Sequence, residues 1–157
     1  MNVVAHARTG LALALVCLLG RAASAEPRHA VYVDMLGKGG LWGLGYEYEA
    51  TPRLAFGAVG SYYFAGGDHH LSLSPYVAAY PLVRGHHRLF VQLGPQVVRR
   101  VTPSPVPEWG GMTTTRVGAE LSSGYEYRNH VLVRVYGMAS VGEHASPWLG
   151  VSLGWMR

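Results

Sequence analysis

On either side of Arg128-Asn129 the chain alternates two kinds of residue over a length that few folds accept. Thr113, Thr115, Val117, Ala119, Leu121, Ser123, Tyr125 and Tyr127 form one set before the break. Thr114, Arg116, Gly118, Glu120, Ser122, Gly124 and Glu126 form the other, which carries every charge and the glycines. After the break Val131, Val133, Val135, Gly137, Ala139 and Val141 alternate with His130, Leu132, Arg134, Tyr136 and Ser140. Period two is the signature of a β-strand whose faces meet different surroundings. Soluble strands run to roughly five or six residues, and a strand that crosses a bilayer needs about nine to eleven. Each arm of this hairpin is of the second kind.

The same alternation recurs along the chain and defines eight segments. They are His29–Leu36, Leu41–Glu49, Leu54–Phe64, Leu71–Leu82, Arg88–Val101, the two arms of the hairpin, and Ser146–Arg157. The fourth is the weakest, because Pro75 and Pro81 cannot donate to a β-ladder. Between the segments lie a glycine-rich turn at 37–40, Ala50–Arg53, a polar stretch at 65–70 (AGGDHH) read as a loop, a turn at 83–87, and the longest break, 102–111 (TPSPVPEWGG). The second, fourth and sixth connections are short and the odd-numbered ones include the longest. The expectation is an all-β, eight-stranded, antiparallel up-and-down transmembrane barrel over residues 26–157, with both strand termini at the end of the short turns.

Residues 1–25 have a different character. His6 and Arg8 precede the apolar run Leu11–Gly20, and Ala23-Ser24-Ala25 supplies the small-x-small pattern of a signal-peptidase site. This reads as a secretory signal peptide cleaved before Glu26, too short to span a membrane as a helix. Val16 stands before Cys17 where a lipoprotein signal places a small residue, so no lipidation is expected. Cys17 is the only cysteine, which leaves the exported chain without disulfide or thiol chemistry. That chain keeps eleven basic and nine acidic residues, since only Arg8 and Arg21 leave with the leader. A net charge near +2 is not the footprint of a nucleic-acid-binding protein.

Alternation does not say which face is inside. The face with Asp34, Glu47, Gln92, Gln96, Arg116, Glu120 and Arg134 also carries Gly43, Gly45, Gly94, Gly118, Gly124, Gly150 and Gly154. An eight-stranded barrel has an interior just wide enough for side chains to fill, and small residues beside long charged ones suit that crowding. The charged face is therefore placed inside, with Asp34, Glu47, Arg116, Glu120 and Arg134 as a lumen network. A buried charge must find a partner. The interior is then a hydrogen-bonded plug. A soluble exported barrel with the faces reversed and an apolar ligand inside is the alternative.

Gly45-Tyr46-Glu47-Tyr48 recurs as Gly124-Tyr125-Glu126-Tyr127, each time at the end of a strand that enters a short turn. With Trp155, these tyrosines (Tyr46, Tyr48, Tyr125 and Tyr127) are expected to form an outward aromatic girdle at headgroup level. The stretch Asp34–Phe64, with its glycine-rich first turn, G-x-G-Y-E-Y, proline-containing turn and glycine/tyrosine strand, resembles the opening hairpins of small bacterial outer-membrane β-barrels of the OmpA/OmpX-like class. The resemblance implies a bacterial outer-membrane location, with outer-membrane lipid and the membrane-insertion machinery as partners. Such barrels commonly finish on an aromatic residue that this machinery reads; here Trp155 is followed by Met156-Arg157.

The remaining candidates are weaker. His69-His70 and His86-His87 fall at opposite ends of the expected barrel and are read as solvated loop histidines, so no metal and no cofactor is expected. Some barrels of the class are lipid A acyl hydrolases or acyltransferases built on serine, histidine and a carboxylate. The residues here would be Ser122 or Ser123 with His130 and Glu120 or Glu126, but Ser123 and the glutamates lie on opposite faces. Arg84, His86, His87 and Arg88 form a basic cluster at a turn that can meet lipid phosphates. Trp109, in the proline-rich break, is the candidate contact for an extracellular ligand or protein at 102–111, or a cap on the barrel mouth. The function expected is a structural or surface-interaction role without catalysis.

Overall fold

The computed structural model describes residues 28–38, 40–104, 111–141 and 147–157. The leader expected over 1–25 and the candidate contact Trp109 lie outside the described residues.

Eight strands follow one another in chain order: β1 (Arg28–Gly37), β2 (Gly40–Thr51), β3 (Leu54–Ala65), β4 (Asp68–Arg84), β5 (His87–Thr102), β6 (Met112–Arg128), β7 (Val131–Val141) and β8 (Pro147–Met156). Each pairs antiparallel with its sequence neighbour, and β8 returns to β1 to close the barrel. Ala30 faces Met156 and Met35 faces Val151 along that seam, and His29 and Arg157 exchange two backbone hydrogen bonds of 2.8 Å. Closure leaves no unpaired sheet edge. No described helix is long and apolar enough to cross a membrane, a statement that does not bear on strands.

Three expectations are corrected. The polar stretch 65–70 is not a loop: only Gly66 and Gly67 turn the chain, at φ of +61° and +90°, and Ala65 pairs with Asp68. Two successive residues at positive φ form the tight hairpin whose twist matches the flanking strands, and glycine adopts it without steric cost. His69 and His70 are therefore strand residues paired with Phe64 and Tyr63. The fourth segment is one of the two longest strands, 17 residues, not an interrupted 71–82. Its prolines are accommodated in two ways. Pro75 falls in a gap of the β4–β5 ladder, between Leu73↔Val97 and Val77↔Leu93, where Pro95 also lies. Pro81 falls where the register shifts between Ala79 and Leu82, the kind of irregularity in which a missing donor is tolerated. Finally, His87 belongs to β5 rather than to a turn at 83–87.

The barrel has two unlike ends. Residues 52–53, 85–86 and 129–130 make two-residue connections at one, together with the start of β1 and the end of β8. The end of β5 and start of β6, and the end of β7 and start of β8, lie at the other, with the Gly66-Gly67 turn. These are called the turn end and the loop end.

Candidate functional site

The duplicated G-Y-E-Y segments lie on β2 and β6, four places apart in a ring of eight and so on opposite walls. Glu47 and Glu126 consequently face each other across the interior, both fully buried. Arg134, placed opposite Glu126 by the β6–β7 register, bridges them: its Nε donates to Glu126 Oε2 at 2.6 Å and its second amino group to Glu47 Oε2 at 2.8 Å. Arg128 donates to Glu126 Oε1 at 2.5 Å, to Glu49 Oε2 at 2.6 Å and to Glu47. Arg88 pairs with Glu49 at 3.1 Å. Tyr76 and Tyr80 donate their hydroxyls to Glu47 at 2.8 and 3.0 Å. Three carboxylates and three guanidiniums thus neutralise one another in a water-poor space. Gly45 makes room for this packing, since a Cβ there would stand 2.1 Å from the Tyr32 ring.

Nearer the loop end a second polar layer is held by hydroxyls and amides. Asp34 accepts from Tyr136 Oη at 2.6 Å and Ser152 Oγ at 2.7 Å. Leu36 sits at φ +53° with its side chain outward, which interrupts the inward series of Ala30, Tyr32 and Asp34 that Lys38 resumes in the turn. Lys38 is only 3% exposed; its ammonium bonds Gln92 and lies 4.0 Å from the centre of the Tyr76 ring. Glu120 and Lys38 line the same narrow internal gap.

Of the five residues expected to form the lumen network, Glu47 and Arg134 are joined by an ion pair. Asp34 and Glu120 are buried in the second layer without an arginine partner among the described contacts. Arg116 is corrected. It is exposed at the mouth, in a hollow of about 450 Å³ shared with His70, Arg100, Thr102 and Thr114. The reason is strand length: β6 begins at Met112, so Arg116 lies in the part of β6 beyond the packed interior. The place assigned to it is taken by Arg128, which the sequence pattern puts at the start of a turn. Its shared parity with Glu126 was the signal that marks it as inward. Arg88 is also corrected, from a member of the basic turn cluster to a buried partner of Glu49. Lys38 shares its parity with Tyr32 and Asp34, but it stands in the glycine-rich turn after β1, where alternation no longer fixes a direction.

The outward face is apolar. Val31, Leu44, Leu73, Leu93, Leu121 and Leu149 are among the large apolar side chains that stand exposed. Tyr46, Tyr125 and Trp155 are exposed and Tyr48 and Tyr127 half-buried, all at the turn end and on the outward face. Tyr46 Oη meets His29 Nδ1 at 2.6 Å, and Tyr125 Oη meets His87 Nδ1 at 2.5 Å. His70 stacks on Tyr63 at 4.7 Å near the loop end, while His86 lies at the turn end and meets the Arg128 carbonyl at 3.1 Å. The hydrolase candidates do not converge. Ser122 is buried and donates to Gln92 at 3.1 Å, and Ser123 points outward. His130 lies in the turn after β6, eight residues or about 27 Å along the chain from Ser122 at 3.4 Å per residue.

No protein-family model and no curated protein matches the sequence. Solved structures do. The N-terminal β-barrel domain of Pseudomonas aeruginosa OprF is similar with a TM-score of 0.66 at 13% identity, over 83% of this chain and 96% of that one. Ail, the attachment invasion locus protein of Yersinia pestis, is similar with a TM-score of 0.51 at 11% identity, over 83% of this chain and 95% of that one. The chain therefore has the closed, eight-stranded, antiparallel up-and-down fold of the small OmpA/OmpX-like outer-membrane barrels.

Proposed function

We propose that the protein is a non-catalytic outer-membrane barrel with a structural or surface-interaction role. The single observation that supports this best is the inverted distribution of polarity. Acids and their arginines fill the interior, while leucine, valine and aromatic side chains face outward. A soluble monomer rarely exposes apolar patches beyond a few hundred Å², whereas an outward apolar band flanked by aromatics is the exterior of a membrane barrel. An interior crossed by ion pairs leaves no room for an apolar ligand, which argues against the soluble alternative.

In this reading the leader 1–25 is removed on export, the insertion machinery and outer-membrane lipid are its partners, and the turn end faces the periplasm. The loop end, including 102–111 and Trp109, is the surface that meets an extracellular ligand or protein. The lumen is plugged by the Glu47–Arg134–Glu126 bridge across its diameter.

The test has two parts. Protein extracted from outer membranes with detergent and run on a gel without boiling is expected to migrate as a compact species that shifts on heating. Recovery only in the soluble fraction would sink the membrane assignment. In planar bilayers the purified barrel is expected to carry no current above leak, and regular porin-sized steps would overturn the plug.

A further inference from the structure

All six acids among the described residues (Asp34, Glu47, Glu49, Asp68, Glu120 and Glu126) are buried. Glu47, Glu49 and Glu126 are taken by the ion pairs of the interior, Asp34 by hydroxyls and Asp68 by Arg100 at the mouth, and the exposed charge of the described surface is carried by arginine. At the turn end Arg28, Arg53, Arg84 and Arg157 are all exposed. They are distributed around the rim, not clustered: Arg28 and Arg157 at the β1–β8 seam, Arg53 in the β2–β3 turn, Arg84 where β4 enters its turn. Among the described residues no carboxylate pairs with any of them. A ring of one sign repels itself and draws its counter-charge from outside.

The ring is continuous with two other features. Just inside it stand the outward tyrosines, two of them held by His29 and His87, and beyond these begins the apolar band. A partner that satisfies the whole surface needs a hydrocarbon part against the band, an interfacial part beside phenol and imidazole, and a negative head within reach of guanidinium. Guanidinium matches phosphate oxygens in a bidentate geometry. We propose that the arginine ring of the turn end is a binding surface for the phosphodiester headgroups of anionic phospholipids in the adjoining leaflet. An acidic soluble protein or polymer would engage the arginines alone and leave the girdle and band uninvolved. The proposal rests on the membrane reading above and adds to it a preference among lipids.

The test uses the full barrel inserted in bilayers of equimolar phosphatidylglycerol and phosphatidylcholine, followed by mild extraction and quantification of the lipid that stays bound. A basic residue near an anionic surface contributes about 1 kcal/mol, or about fivefold in partitioning. The wild type is expected to retain phosphatidylglycerol over phosphatidylcholine by roughly fivefold or more, less at high salt. The variant R28Q/R53Q/R84Q/R157Q is expected to fall to parity while keeping its heat-dependent gel shift. R53Q/R84Q, confined to exposed positions at turns, is expected to give an intermediate value and serves if the fourfold variant does not fold. Equal retention of the two lipids by a wild type that shows the gel shift overturns the ring. So does loss of the preference in R99Q/R100Q at the loop end but not in the ring variants. Failure to enter either lipid, with no gel shift, overturns the membrane reading and the ring with it.

Discussion

Arg134 shows what a single side chain does here. Alternation places it inward on β7, but a lone guanidinium inside a barrel is costly, and its worth depends on Glu47 and Glu126 being within reach from opposite walls. Removing one partner of a buried pair leaves the other charge unmatched, which typically costs 3–5 kcal/mol. Arg134→Met is therefore expected to lower the unfolding free energy in urea, followed by tryptophan fluorescence and the gel shift, by about that much. Arg116→Met, at the mouth, is expected to change it by less than about 1 kcal/mol. Equal effects would refute the different placement of the two arginines. Gly45→Val addresses the same packing from the backbone side. The Tyr32 ring occupies the space a Cβ needs, so the variant is expected to be destabilised by about 1–3 kcal/mol through overpacking.

At the scale of the element, hairpins and prolines decide where strands begin and end. The pair Gly66-Gly67 was hidden in a polar run that reads as a loop, because aspartate and histidines follow it. Only the pairing of Ala65 with Asp68 shows that two residues suffice. At φ +90° Gly67 tolerates no β-branched side chain, and Gly67→Val is expected to cost about 1–2 kcal/mol in the same unfolding assay. Gly66→Asn, compatible with the first position of such a turn, is expected to be near neutral. β4 carries the complementary lesson. Proline content argued for a weak strand, yet the ladder gap at Pro75 and the shifted register near Pro81 let the strand run on. A rule about donors speaks to one residue, whereas a 17-residue strand is held by the rest of its ladder.

At the scale of the whole molecule the governing fact is polarity turned inside out. Leu149 and Trp155 are 74% and 63% exposed, while Glu47 and Glu126 are fully buried. If the outward face meets lipid, Trp42 and Trp155, both outward and exposed, should be quenched by brominated lipids, and replacing both by phenylalanine should reduce the quenching, Trp148 being exposed as well. Fluorescence unaffected by brominated lipid in a barrel that retains its gel shift would show that the band does not contact acyl chains. Among the described residues the same inversion leaves the exposed charge at the turn end to arginine, since the described acids are buried.

The sequence by itself determined the strand count, the two-faced character of each strand and the outward direction of Tyr46, Tyr125 and Trp155. These depend on local periodicity, which a β-pleat translates directly into direction. It also marked Asp34, Glu47, Glu120 and Arg134 as inward residues, and with parity followed to the end of β6 it would have marked Arg128. It could not choose partners. Which glutamate meets which arginine depends on the stagger of strands around a closed ring, and that places Glu47 and Glu126 on opposite walls only once β8 has returned to β1. Nor could it place Lys38 inside, since Lys38 stands in the turn after β1, where strand periodicity ends and only the packing around it decides its direction. Local pattern settles which face a residue takes; only the closed barrel settles what it finds there.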